Sequence, residues 1–206
     1  AQLYRIPYIC PGLDEEFRIV REDYYQENGG IIFPNPNAPT AIYEELDFVE
    51  DILRHNPSSI VIVDEAYVDF AGKSAMELIS EYDNLNDVKY SFNSYTMNQT
   101  AIRCGVEAVK DKEYFEAGVR KIVETREWAK KELAELGFVF PDSKANFIFA
   151  RHPEYDAGVL FRALKENEIY VRHWDGGRIG QYLRITVGTP EEMKALFDFL
   201  SEYMKK

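Results

Sequence analysis

Residues 59–70 read "SIVIVDEAYVDF", and the reading of this stretch decides the fold. Four apolar residues, Ile60 to Val63, run straight into Asp64 and Glu65, with Tyr67 close behind. A continuous β-branched run of this kind predicts a strand buried on both faces, as in a parallel sheet. Unpaired charge at the end of such a strand is costly, so the two acids need a reason. In open α/β sheets ligands sit just beyond the carboxyl ends of the strands, which is where this run ends.

On either side of this stretch, strand and helix signals alternate. LYRIPYI (3–9) predicts a short strand interrupted by Pro7, and Ile31–Phe33 predicts another that leads into a Pro/Asn-rich loop. Thr40 predicts the cap of a helix over 41–55, with Leu46, Val49, Ile52 and Leu53 on one face and Pro57 beyond its end. Ser74 followed by Glu77 has the spacing of a capping box for a helix over 75–82. In the second half, Phe115, Val119, Ile122, Ala129, Leu133 and Leu136 share a helical face, and Gly137 suits the left-handed position after it. Strands are expected at 138–140 and 146–150, then a helix over 156–167. Further strands at 169–173 and 182–187 bracket a loop with Gly176, Gly177 and Gly180. Thr189-Pro190-Glu191-Glu192 opens a final helix. The expectation is α/β, with a complete three- or four-stranded sheet in the second half.

The 206 residues, 46% of them apolar, are enough for one large domain or two small ones with a real core. Lys and Arg total 24 against 36 Asp and Glu, a formal net charge of −12. That balance argues against a general nucleic-acid or anionic-membrane surface, while a local arginine cluster could still hold a small anion. Cys10 and Cys104 belong to no CxxC or Cys/His cluster, so a reducing, cytoplasmic location is expected. No apolar stretch approaches the roughly 18 residues needed to span a bilayer, and the first ten residues lack the shape of a signal peptide. AGKS (71–74) is not a P-loop, because position 67 is Tyr where that motif needs glycine. DGGRIG (175–180) lacks the GxGxxG spacing and reads as a solvated loop. His55, His152 and His173 make no metal spacing and read as surface histidines. No second acidic cluster in the sequence converges on Asp64-Glu65, so no metal is expected.

"FPNPNAPT" (33–40), "VDEAYVDF" (63–70), "SFNSYT" (91–96), "ANFIFARHP" (145–153), "IYVRHWDG" (169–176) and "YLRITVGTPEEM" (182–193) occur in this order. Together they closely resemble the histidinol-phosphate aminotransferases, members of the fold-type I, pyridoxal-phosphate-dependent aminotransferases. The likeness extends over nearly the whole chain. YLRITVGT and VRHWDG are its more particular parts, whereas NPNxPT and DEAY are shared by many relatives. The resemblance implies a remnant of the large, cofactor-binding domain over 1–105, built on a mostly parallel sheet, and a C-terminal α/β small domain over 106–206. It also implies pyridoxal phosphate as cofactor, a phosphorylated amine and a 2-oxo acid as substrates, and a homodimer.

The resemblance assigns roles residue by residue. Asp64 matches the acid that pairs with the pyridine nitrogen of the cofactor, Tyr67 the residue that reaches its phenolic oxygen, and Asn37 a third ring contact. A carboxylate kept ionised holds the ring nitrogen protonated, and the ring can then accept electrons. Arg184 matches the arginine that binds the substrate's anionic group, and Arg172 a second arginine near the substrate phosphate. Their forked guanidinium groups suit phosphate or carboxylate. Two departures stand beside Asn37: Ala38 where many relatives have Asn, and Ala41 where Gly is usual.

The lysine is missing. Fold-type I enzymes form a Schiff base with a lysine in an SKS-like segment after DEAY, followed by an arginine turn that holds the cofactor phosphate. Here the family's text runs to Leu85 and resumes at Asn86-Asp87-Val88, and the nearest lysines, Lys73 and Lys89, stand in other contexts. The N-terminal arm and first elements of the large domain likewise have no counterpart. Two readings follow. One is an aminotransferase shortened at its start and in its interior, binding cofactor weakly or not at all and not turning over. The other is a non-catalytic fragment or an engineered folding and assembly module.

Overall fold

The structure is a computed structural model that describes residues 5–85 and 97–205. Strands β1 (Gly30–Pro34) and β2 (Ile60–Asp64) pair in parallel, Gly30 against Ile60 through Pro34 against Asp64. Helix α1 (Leu46–His55) connects them and buries Phe48, Val49, Ile52 and Leu53, packed with Ile31, Phe33 and Val61. The spacing of those helical residues is what turns one apolar stripe toward the sheet. The opposite face stays open, with Ile32 70% and Ile60 48% exposed. The expected burial of β2 on both faces is therefore corrected: α1 and its neighbours cover one side only. On the far edge of β2, the Val61 amide donates to Asn84 O at 2.8 Å and Val61 forms a parallel bridge with Leu85.

Three other expectations in this half change. Of the strand expected over 3–9, positions 3 and 4 lie outside the described residues; residues 5–9 form no strand, and Ile6, Tyr8 and Ile9 are exposed. Pro7 removes an amide donor, and among the described residues no strand lies alongside. The helix expected from Thr40 starts five residues later than predicted. Buried Asn35 explains the delay: its amide donates to Glu44 O and accepts from Glu44 N, both at 2.8 Å, holding 41–45 out of helix. The helix expected over 75–82 shrinks to a single 3-10 turn, Ala75–Leu78, in which Ser74 accepts from Met76 N. Glu65, rather than Glu77, supplies the carboxylate there, accepting from Ser74 Oγ at 2.5 Å and Ala75 N at 2.6 Å.

A helix not anticipated from the sequence, α2 (Gln99–Lys110), is capped by Asn98, whose side chain accepts from Ala101 N. Long α3 (Lys112–Glu135) follows and buries Ala129 and Leu133. Gly137 takes φ +85° as expected, and a Cβ there would lie 2.9 Å from His152 Nε2. Strand β3 (Phe147–Ala150), α4 (Ala157–Glu166), β4 (Arg172–His173), β5 (Leu183–Thr186) and α5 (Pro190–Tyr203) complete the chain. The three strands form an antiparallel sheet in the order β3-β5-β4. The strand expected at 138–140 is reduced to one bridge, Val139 with Arg151. The capping box at Thr189 and Glu192 forms in full. One core packs α3, α4 and α5 on this sheet, with Leu133, Ile148, Leu160, Leu183, Ile185 and Leu200 at its centre.

The two halves are tied by side chains. Arg126, 3% exposed, donates to Phe70 O at 2.8 Å and Ala145 O at 3.1 Å. Arg178 donates to Leu13 O and Asp14 O and lies 4.4 Å from the Phe17 ring centroid. Among the described residues, no helix is long and apolar enough to cross a membrane.

Candidate active site

The parallel pair places the carboxyl ends of β1 and β2 side by side, and the Asn35 backbone N–H donates to Asp64 O at 2.8 Å. Asp64 is exposed at the tip of its strand, and its Oδ1 accepts from Ala66 N at 3.1 Å. The two acids of the opening stretch thus divide. Glu65 is a structural cap for 74–75, and Asp64 is left facing outward.

Asn37 lies in the turn after β1. Its backbone N donates to Ile42 O and its carbonyl accepts from Ala41 N, both at 2.8 Å. Its Nδ2 donates to Thr40 Oγ1 at 2.9 Å, leaving one N–H and the carbonyl oxygen of the amide for other partners. Fully buried Ala41 has φ +62°, in the left-handed region that favours glycine. Ala41 packs with Ala145, Phe147 and Tyr67.

Tyr67 meets Phe147 edge-on, ring centroids 5.1 Å apart at 87°. Phe147 in turn lies 5.0 Å from the Arg184 guanidinium carbon. Arg184 stands directly opposite Arg172 in the β4–β5 register, and both guanidinium groups approach the Trp174 ring, at 5.8 Å and 5.5 Å. A continuous line of contacts, Tyr67–Phe147–Arg184–Trp174–Arg172, therefore joins the end of the parallel sheet to the antiparallel one. Asn37 is linked to it through Ala41. The Arg184 Nε is buried and has no hydrogen-bond partner, a costly state that an anionic ligand would relieve.

This donor set fits pyridoxal phosphate in part. An outward carboxylate at a strand end, a phenol and an amide are the group types that a protonated pyridine nitrogen and a ring oxygen need. A covalent anchor is not among the described contacts. Lys73 lies on an exposed loop whose backbone N and O both bond the Tyr43 hydroxyl, at 3.1 and 2.7 Å. Lys89 and the SFNSYT segment lie outside the described residues.

The other candidates resolve into structural roles. Each histidine bonds a backbone carbonyl: His55 with Asp51 O, His152 with Leu136 O and His173 with Gly180 O. His152 and His173 are partly buried rather than surface groups. Among the described residues no cluster could hold a metal. Arg126 was missed as a key residue, although its place between Ile122 and Ala129 on the apolar face of α3 marks it out.

The fold is that of a fold-type I aminotransferase. The aminotransferase class I and II family matches residues 18–106 and 81–200, and the chain belongs to it. Within that family the chain is similar to histidinol-phosphate aminotransferases. It is 43% identical over 233 residues to the enzyme of Lactococcus lactis subsp. cremoris (strain MG1363), an alignment that takes in 98% of this chain and 65% of that protein. The chain thus spans a little under two thirds of that relative's length. Since 98% of 206 residues is about 202, about 31 of the 233 alignment columns lie opposite no residue of this chain. The histidinol-phosphate aminotransferase of Clostridium acetobutylicum superposes with a TM-score of 0.83 at 20% identity, covering 94% of this chain and 70% of that one. That of Sinorhizobium meliloti, solved in complex with pyridoxal-5'-phosphate, gives 0.71 at 18%, covering 86% and 57%.

Proposed function

We propose that this chain carries the ring-contacting and anion-binding parts of a histidinol-phosphate aminotransferase, without the lysine segment that completes the reaction centre. The line of contacts from Tyr67 to Arg184 is the observation that supports this reading, because it links residues far apart in sequence near the end of the parallel sheet. The columns of the Lactococcus alignment that this chain leaves empty, and the overlap of the two family matches at 81–106, support an interior segment lost after Leu85.

Pyridoxal phosphate, when bound, would supply an electron sink for the reacting amino-bearing carbon. Asp64 would be the carboxylate facing the ring nitrogen and holding its proton, and Tyr67 and Asn37 would donate to the ring's oxygen. Arg184 and Arg172 bind the phosphate of a phosphorylated amine and the carboxylate of the 2-oxo acid that replaces it. The lysine that would link the cofactor and carry the proton is the missing part.

The same reading divides the chain at about residue 105, a partial cofactor domain before it and a small domain after. It includes a homodimer, supported by the apolar residues Ile32 and Ile60 on the open sheet face. A reducing cytoplasm fits Cys10 and Cys104, both free and exposed.

The test is borohydride reduction in the presence of pyridoxal phosphate, followed by peptide mapping. No single lysine should be labelled, and histidinol phosphate should not be consumed. Charge-assisted hydrogen bonds contribute roughly 1.5–3 kcal/mol each, so losing two of the cofactor-phosphate contacts at the middle of that range weakens binding about a thousandfold. Specific labelling of one lysine with turnover of histidinol phosphate would refute the reading.

A further inference from the structure

Arg172 and Arg184 face each other across an antiparallel pair of strands, a placement in which like charges repel. Among the described residues no carboxylate pairs with either. Both guanidinium groups instead lie within 6 Å of the Trp174 ring, a range in which the ring's negative face attracts a cation. The difference matters chemically. A carboxylate would cancel the charge and occupy the N–H donors, whereas an aromatic face holds the cation and leaves both for a ligand. Trp174 is itself fixed, packing on Phe149 with centroids 6.5 Å apart, and Phe149 stacks on Tyr182 at 4.3 Å.

We infer that Trp174 is a positioning residue of the anion site and sets its preference. Its ring holds two guanidinium groups side by side with their charge intact, so that the pair receives a dianion such as a phosphate monoester ahead of a monoanionic carboxylate. This rests on the reading of Arg172 and Arg184 as the anion-binding residues. The preference follows from charge, since two adjacent uncompensated cations are stabilised more by two negative charges than by one.

Calorimetric titration of the 206-residue chain with inorganic phosphate at pH 8, and with acetate, tests it. Loss of both ring contacts in Trp174→Leu should weaken phosphate binding about tenfold, with acetate changed far less. Trp174→Phe, which keeps a ring face, should stay within about threefold of the parent. In a Trp128→Phe background the sole remaining tryptophan is Trp174, and its emission should shift as phosphate saturates; this readout needs no substitution at Trp174 and holds even if the Leu variant fails to fold. Phosphate binding unchanged in Trp174→Leu but lost in Arg184→Gln would overturn the role of Trp174 and leave the arginine reading standing. Equal weakening by Leu and Phe, or a silent Trp174 emission, would also overturn it. Wild-type phosphate binding in Arg184→Gln would overturn the arginine assignment beneath it.

Discussion

Ala41 shows how a single residue can carry opposing effects. A left-handed backbone costs an L-residue roughly 1–2 kcal/mol, yet the methyl group here is fully buried against Phe147 and Tyr67. Replacing Ala41 by Gly relieves the strain, but it forfeits about 0.8 kcal/mol of burial and adds roughly 0.4–1 kcal/mol of freedom to the unfolded chain. The three effects nearly cancel. Urea unfolding should therefore place Ala41→Gly within about 1 kcal/mol of the parent, whereas Ala41→Val, overpacked and still strained, should lose about 2 kcal/mol or more. The departure at position 41 was visible in the sequence, but its backbone angle was not. The contact of Tyr67 with Phe147 was equally invisible, because nothing in the 79 residues of intervening text encodes which ring meets which.

Elements followed their periodicity where one strong stripe existed and lost it where side chains competed. α1, α3 and α5 lie where their apolar spacing puts them, and the box at Thr189 forms as written. The helix expected from Thr40 starts later because the Asn35 side chain takes the backbone groups of Glu44, and the helix capped by Ser74 stops after one turn, with Glu65 rather than Glu77 bonding Ala75 N. The C-terminal part of α3 is held to the loop after it by Lys130, which bonds Glu127 at 2.8 Å and also Asp142. Burial disfavours the charge on all three, but the mutual bonds outweigh it, so both carboxyls sit below their ordinary values and the ammonium above its own. Carboxyls depressed on folding give stability that is present above their ordinary values of 4.5 and 3.8 and is lost as pH falls through the lower folded ones. Glu127 and Asp142 are well exposed, so solvent screening limits the effect to about 1 kcal/mol. Thermal melts should show Lys130→Met less stable than the parent at pH 7, with the gap closing toward pH 3. A gap independent of pH would assign Lys130 a packing role only.

In the whole molecule, the two sheets differ in how well they are enclosed. The antiparallel sheet has helices packed into one core, while the parallel pair shows Ile32 and Ile60 to solvent. Helix α2 adds Ile102, Val106 and Val109, all exposed. Open apolar faces of this kind recruit partners. Sedimentation velocity at micromolar protein should accordingly show a dimer or larger species, and Ile32→Lys should shift it toward monomer. A clean monomer for the parent chain would refute the association. The α/β class and the division of signals between the halves were legible in the sequence. The open face was not, because β-branched runs record the burial for which a strand is suited and say nothing of whether its cover is present.

The bridge between Val61 and Leu85 has a kinetic meaning. Parallel strands form slowly because the loop-closure entropy must be lost before any pairing rewards it. Here that loss has already been met: Asn84 and Leu85 are docked on β2 with their direction and register set. A strand grafted after Leu85 would enter a ladder whose first rung exists, and would zip along β2 without a search for alignment.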